Sequence, residues 1–333
     1  MNIQSVRELK LELAAEVFAP IASELRERAQ RRLLRMPQRS SPLQRVALGI
    51  GKSTRRGEFS LAVRLQARSK ALQAMVERLR ERARGEIDVR FIGHLRPHDG
   101  IQGPPAGLRK ICRPLVIGCS VGHIATTAGT LGLIARHRKT GQAVMLSNSH
   151  ILAQSGQAQN GDPITQPGPL DGGNADNVVA ALADSTTLNV PGPNQFDAAI
   201  AIIDSGVAYT PNIVPELGAF TIGSEDTILP GVKVAKVGRT TDLRRGEILA
   251  TELDDVVVRY DIGDATFDHQ IEIAGQPKLP FSDDGDSGSL VLDQQMRAIG
   301  LIFCGNPNAN GGTGLSYANH LPRIMTALDI VSM

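Results

Sequence analysis

From about residue 107 to its end the chain runs in short apolar segments broken by Gly, Pro, Asn and Asp at close intervals, and few folds accept that texture. Short strands joined by tight turns make all-β barrels, and about 200 residues suffice for such a body. With 34 Gly and 19 Pro in 333 residues, turn formers are plentiful, while 41% apolar residues still allow real cores. Residues 129–135 and 142–146 flank a polar stretch at 136–140 and are predicted to form a hairpin. Further strands are predicted over 196–203, 233–237, 246–253, 255–260, 269–273, 289–292 and 298–303. Residues 321–328 read as a short closing helix with Pro322 in its first turn. The strand count suits two barrels of similar build.

The first hundred residues have another texture. Apolar Val6, Leu9, Leu13, Val17, Ile21, Leu25 and Leu33 recur at helical spacing over 3–35, and Pro20 kinks or divides the run. Residues 36–42 read as a linker, which gives an N-terminal helical segment over 1–40. A small α+β module at 45–96 follows in the order β-β-α-β, with strands near 45–50, 59–65 and 87–92. Its helix starts at a Ser69 cap and carries Leu72, Met75, Val76, Leu79 and Ala83 on one stripe. His94 and His98, at the exit of the module and without nearby acids, are expected to be surface or hinge residues. The Pro- and Gly-rich stretch at 97–110 marks the boundary with the barrel region, placed at 107–333.

Charge is divided between these parts. Residues 1–98 carry 21 Lys/Arg against 10 Asp/Glu, leaving 15 against 24 for the remainder, so the net +2 conceals +11 and −9. A basic excess of this kind offers a surface to nucleic acid or to an anionic surface. The preferred reading is a solvated helix face that docks on the acidic remainder, with a regulatory partner or self-association through residues 1–96 as further uses. Cys112, Cys119 and Cys304 have no paired spacing and give neither a disulfide framework nor a zinc pattern. The N-terminus lacks the continuous apolar stretch of a signal peptide, and no apolar run reaches membrane-spanning length, so a cytoplasmic location is expected. Asp254, Asp255, Asp261, Asp264 and Asp268 match no calcium loop, and His269 and His320 lack metal-ligand spacing; no metal is expected.

The chemistry concentrates at Gly285-Asp286-Ser287-Gly288, which runs into the apolar segment Leu290-Val291-Leu292. A serine between two glycines can present its hydroxyl from a tight turn, and the Gly285 and Ser287 N–H groups can converge on one oxyanion. Serine is a weak nucleophile until a base takes its proton, and the base needs an orienting acid. His150 ends the predicted strand Met145-Leu146-Ser147 among small polar residues, where an imidazole is held and reachable. Asp197 opens the apolar run Ala198–Ile202, where a carboxylate is normally excluded unless it has a partner. Each is a common loop residue when taken alone. Together they fall in the order His150, Asp197, Ser287, which is the order of the double-barrel serine proteases and of neither subtilisin-like nor α/β-hydrolase enzymes.

With these residues in place, the region from about 112 to 333 resembles a trypsin-like (chymotrypsin-fold) serine peptidase. Gly129-Thr-Leu-Gly, Leu146-Ser-Asn-Ser-His-Ile-Leu, Gln166-Pro-Gly-Pro-Leu-Asp-Gly-Gly, Val237-Gly-Arg-Thr-Thr and Gly285-Asp-Ser-Gly are most similar to the plant narrow-leaf-type trypsin-like proteins and their bacterial relatives. In that group a small α/β module precedes the barrels; residues 1–40 lie outside the resemblance. The resemblance implies a mainly β fold, a double six-stranded β-barrel behind the helix and the α+β module, with the site between the barrels. It implies Ser287 as nucleophile, His150 as general base and acid, Asp197 as its orienter, and the Gly285 and Ser287 amides as oxyanion hole. Asp286 would set the turn. It also implies a primary pocket lined by Phe281 and Ser282, with Phe303, Cys304 and Gly305 as the opposite wall. No acid falls at the pocket base, so a small or apolar substrate side chain is preferred, although Asp283 and Asp284 are close in sequence. Secreted members place a disulfide beside the histidine; here Ile151 follows His150, in line with a reducing compartment.

The function expected is therefore a serine endopeptidase that needs no cofactor and acts on protein or peptide through a covalent acyl-enzyme. Many enzymes of this fold form the pocket only after a new N-terminal amine inserts beside the acid before the serine; no cleavage signal stands at Arg109-Lys110-Ile111, so a preformed or partner-gated site is expected. The alternatives are a catalytically restrained peptide-binding or regulatory scaffold and a self-processing protease gated by its N-terminal region.

Overall fold

The computed structural model describes residues 1–16, 45–55, 57–98 and 106–333. The predicted helix beyond residue 16 and the linker at 36–42 lie outside the described residues. Residues 3–16 form α1. β1 (Val46–Lys52), β2 (Phe59–Leu65), α2 (Lys70–Arg82) and β3 (Ile87–Phe91) follow in the expected β-β-α-β order. Ser69 caps α2, its hydroxyl accepting from the Leu72 N–H at 3.1 Å. α2 crosses from β2 to a parallel β3, and Leu72, Met75, Val76 and Leu79 pack on Val46, Leu48, Leu61 and Val63, with Leu13 of α1 closing the cluster. A two-residue strand, β4 (Arg96–Pro97), leaves the module.

The barrel body is built from strands of four to thirteen residues and several shorter ones. Its first half comprises β5 (Ser120–His123), β6 (Leu133–His137), β7 (Ala143–Ser147), β8 (Pro163–Thr165), β9 (Val178–Ser185) and β10 (Ala199–Ile203), with α3 (Ser149–Leu152) after β7. The second half comprises β11 (Lys233–Gly238), β12 (Asp242–Asp254), β13 (Val256–Tyr260), β14 (Gly263–Phe267), β15 (Gln270–Ala274), β16 (Leu290–Asp293), β17 (Arg297–Asn306) and β18 (Leu315–His320). α4 (Leu321–Ala327) follows, and β19 (Ile330–Ser332) ends the chain. The helix expected over 321–328 is therefore not the last element: β19 returns to the first half and pairs with β6.

The order β11-β16-β17-β18-β15-β12 closes on itself through β11–β12, giving a six-stranded barrel. The first half, ordered β19-β6-β7-β10-β9-β8-β5, is a curved sheet that strand pairing leaves open among the described residues. The fold is the mainly β, chymotrypsin-like double barrel expected from the sequence, one barrel closed and the other a half-barrel. Leu133, Leu146 and Ile200 of the first half meet Leu290, Leu292 and Leu301 of the second in one buried cluster, which α4 caps with Leu321 and Ile324.

The small module is not separate from this body. β1 pairs antiparallel with β12, so the sheet of the closed barrel continues through β1 and β2 to β3. Arg64 of β2 and Glu272 of β15 form a fully buried ion pair, Nε to Oε1 2.8 Å, and the Tyr317 hydroxyl donates to the same carboxylate at 2.8 Å. Gln66 exchanges two hydrogen bonds with the backbone of Val257. These buried polar groups are paired with one another, so removing one partner would strand a buried charge.

Candidate active site

The cleft between the halves collects the three residues expected there. His150 lies in α3 directly after β7, and Asp197 immediately precedes β10, the neighbour of β7 in the sheet. Cross-strand adjacency thus sets the pair. The Asp197 carboxylate accepts from the His150 N–H at 3.0 Å and from His150 Nδ1 at 2.5 Å, which leaves Nε2 as the free nitrogen of the ring. Asp197 is fully buried, and the Tyr260 hydroxyl donates to its Oδ2 at 2.7 Å. Asn319, from the closed barrel, accepts from the Asp197 N–H at 2.9 Å, so both halves hold the acid. Burial and the Asp197 charge push the Tyr260 phenol well above its ordinary value, keeping it a neutral donor.

Ser287 sits in the turn before β16 and is itself buried. Its hydroxyl donates to the Phe303 carbonyl at 3.2 Å and accepts from the His98 N–H at 3.3 Å. His150 Nε2 is buried with no hydrogen-bond partner. Histidine and acid are thus joined, while the serine is turned away from the base. The turn requires glycine at both flanks: Gly285 and Gly288 have φ of +94° and +93°. A Cβ at Gly285 would lie 1.9 Å from Arg239 Nη1, and one at Gly288 2.1 Å from the Thr130 carbonyl oxygen.

Asp286 does set this turn, through partners that sequence reasoning did not identify. Lys236 of β11 places Nζ 2.8 Å from its carboxylate, both side chains fully buried. The Thr241 hydroxyl donates at 2.6 Å, and the Thr240, Thr241 and Asp283 N–H groups donate at 3.1, 3.2 and 3.1 Å. Burial works to raise the Asp286 pKa, but the Lys236 ammonium and these donors outweigh it and hold the carboxyl below its usual range. Burial depresses the Lys236 pKa in turn. Lys236 thus supplies the buried cation that Asp286 needs from within the chain itself. Lys236 and Tyr260 carried a faint signal, being polar groups inside otherwise apolar strands. Their partners become visible only in three dimensions.

The pocket residues divide. Ser282 is buried and its hydroxyl lies 2.8 Å from His98 Nε2, with the Ser316 hydroxyl 2.6 Å beyond. Gly305 leaves open the space that His98 fills: a Cβ there would lie 2.8 Å from Nε2. Phe303 contributes its carbonyl, while its ring lies tilted against Phe267, centroids 4.8 Å apart, in the neighbouring core. Cys304 pairs with Pro97 through the backbone, and burial drives its thiol well above the ordinary range. Phe281 does not face the pocket region: it packs among Val234, Ile248 and Ile273 in the core of the closed barrel, because the residue after it, not Phe281, turns inward.

His98 is not a surface or hinge residue. It is 1% exposed, and Asp284 Oδ1 lies 3.5 Å from its Nδ1, so an acid does stand beside the pocket residues, where the resemblance placed none at the pocket base. Elsewhere, Glu225, His269 and His320 come together with donor atoms within 4.8 Å of one another, which sequence spacing did not show. Arg323 already neutralises Glu225 at 2.8 Å. Two acids of the stretch at 254–268 are paired as well, Asp254 with Lys10 at 2.6 Å and Asp264 with Arg45 and Arg259 at 3.0 and 2.9 Å. No helix among the described residues is long and apolar enough to cross a membrane.

No family model and no curated protein matches the sequence. Among solved structures the chain is similar to Thermobifida fusca Protease A, at 17% identity and a TM-score of 0.46 over 66% of this chain and 97% of that one. It is similar to a glutamic acid-specific serine protease that uses a histidine triad in substrate binding, at 17% identity and 0.48 over 66% and 100%. Nocardiopsis protease (NAPase) matches at 16% identity and 0.47 over 65% and 97%. At these scores the likeness adds nothing to what strand order and side-chain geometry carry by themselves.

Proposed function

We propose that the protein is a serine endopeptidase that cuts peptide bonds through Ser287, His150 and Asp197. The observation that carries this reading is the Asp197–His150 pair held by both barrel halves, beside a glycine-flanked serine whose turn is locked by a buried Lys236–Asp286 pair. In the reaction the Ser287 hydroxyl rotates from the Phe303 carbonyl to His150 Nε2, which takes its proton as Oγ bonds to the substrate carbonyl carbon. The Gly285 N–H, with that of Ser287, stabilises the oxyanion. His150 then passes the proton to the leaving amine, and water releases the acyl group by the same route. Asp197 holds the ring with Nε2 toward the cleft and stabilises the imidazolium, while Tyr260 supports Asp197. The sequence motifs further support kinship with the narrow-leaf-type trypsin-like proteins, and the three free thiols fit a reducing compartment.

Fluorophosphonate labelling of the purified full-length chain, with Ser287→Ala and His150→Ala as controls, tests the reading. Labelling is expected in the wild type and its loss in both variants. His98, whose N–H meets Ser287 Oγ, covers the serine in the intact chain, so a His98→Gly chain that folds and still stays unlabelled would sink it.

A further inference from the structure

The cleft of this molecule already holds a peptide, and it is the chain's own. β4 lies antiparallel to β17, Pro97 opposite Cys304 and Arg96 opposite Gly305, so the exit of the module adds a strand to the edge that flanks the serine. Leu95 bridges Val258 on the other side. Next along the chain, the His98 carbonyl oxygen accepts from the Gly285 N–H at 3.0 Å. That is the group expected to hold the oxyanion. The His98 N–H meets Ser287 Oγ at 3.3 Å, which puts the hydroxyl within one bond of the residue whose carbonyl occupies the hole. Its imidazole enters the pocket behind: Nε2 on Ser282 at 2.8 Å, Nδ1 facing Asp284 at 3.5 Å, the ring over Gly305.

Three contacts therefore place one residue as a substrate is placed: strand pairing ahead of it, its carbonyl on the Gly285 N–H that is one of the two expected oxyanion donors, its side chain in the pocket. Pro97 suits this position, since its fixed φ favours an extended strand and its missing N–H leaves no donor unpaired. A hinge residue would need none of these contacts.

We propose that Leu95-Arg96-Pro97-His98 is the enzyme's own substrate strand, that the pocket is built for histidine, and that the His98–Asp99 bond is cut in cis. The proposal rests on the peptidase reading above. In the step, Ser287 Oγ bonds to the His98 carbonyl carbon, the C–N bond to Asp99 breaks, and the serine proton passes through His150 Nε2 to the departing amine. Water then frees the His98 carboxylate. A histidine pocket replaces the small or apolar preference drawn from the sequence, because Ser282, itself held by Ser316, and Asp284 face an imidazole with polar atoms and offer nothing comparable to a methyl group.

The test uses the full chain in wild-type, Ser287→Ala and His98→Gly forms, with intact mass followed during incubation. The expected result is a wild type divided between His98 and Asp99, with both variants whole. His98→Gly, its cleft vacated, is then expected to cut a Leu-Arg-Pro-His reporter peptide at least about tenfold faster than the same peptide ending in Leu or Phe. A wild type that stays whole, while His98→Gly takes the fluorophosphonate label and cuts peptides without favouring histidine, overturns the proposal and leaves the peptidase reading standing. A His98→Gly chain that neither labels nor cuts any peptide removes both. Equal cleavage of Ser287→Ala and wild type means a contaminating protease and also overturns the proposal.

Discussion

Lys236 is the residue whose removal should tell most about the site. It touches no substrate; it positions the turn that carries Gly285 and Ser287 by pairing with Asp286. Lys236→Met leaves a buried carboxylate uncompensated, and a loss of about 3–5 kcal/mol in urea unfolding is expected. If the pair also aims the oxyanion donors, kcat for a reporter peptide should fall on the order of a hundredfold while KM moves far less. A purely structural role would lower stability and leave kcat of the folded fraction intact. At this scale the Asp197–His150 pair and the glycine-flanked turn of Ser287 were legible in the sequence, because each stands beside a strand end in a recognisable local setting. His98 was not: its partners Ser282 and Asp284 come from the far end of the chain, and a histidine without a nearby acid reads as a surface group. Phe281 was grouped with Ser282 on sequence proximity alone; only Ser282 reaches His98, while Phe281 packs in the barrel core.

Among the elements, the strands around Met145, Ala199, Ala235, Leu249, Ile271, Leu290 and Ile302 were legible as apolar runs closed by turn formers. β9, β14 and β18 were not, although they have eight, five and six residues: small and polar residues such as Ala181, Asp184, Asp264, Ser316 and Asn319 interrupt their apolar pattern. The remaining misses are matters of distance. β19 has three residues and gains its meaning only from β6, more than 190 positions away in sequence. The junction of β1 with β12 left no local trace either, and the module therefore read as a separate unit. Arg64 and Glu272 bind that junction and give it a measurable weight. Glu272→Ala is expected to cost about 3–5 kcal/mol by urea unfolding, because it strands Arg64 in the core. The double change Arg64→Met with Glu272→Leu should recover most of the loss, since apolar groups of similar volume replace buried ion pairs at little cost. Failure of the double variant to recover would show that the pair sets register as well.

At the scale of the whole molecule, charge pairs join its first part to the barrel body. Arg7 on Glu252, Lys10 on Asp254 and Arg45 on Asp264 make these contacts, while the arginine-rich helix face expected at 26–35 lies outside the described residues. One acid in this contact region is left at a disadvantage: burial, with Asp268 and Asp254 nearby, pushes Asp255 up to about 7. An unfolded chain releases that proton near pH 4. Its contribution to stability is therefore fully present below about pH 4 and is lost as pH rises to about 7. Asp88, Asp171 and Asp286, all held below the usual carboxylate range, work in the opposite sense and weaken the fold as pH falls through their titration. Asp255→Asn should thus raise urea stability at pH 8 and leave it nearly unchanged at pH 4; asparagine also accepts the positive φ of 63° found there. Equal effects at both values would contradict the assignment. The continuous sheet has a consequence for any cut behind His98. The first 98 residues would stay moored to the barrel by the β1–β12 ladder and the Arg64–Glu272 pair, so dilution would not remove the occupant from the cleft. Its grip would be governed by local concentration, as in a tethered ligand, and a rival peptide would have to compete with a neighbour that never diffuses away.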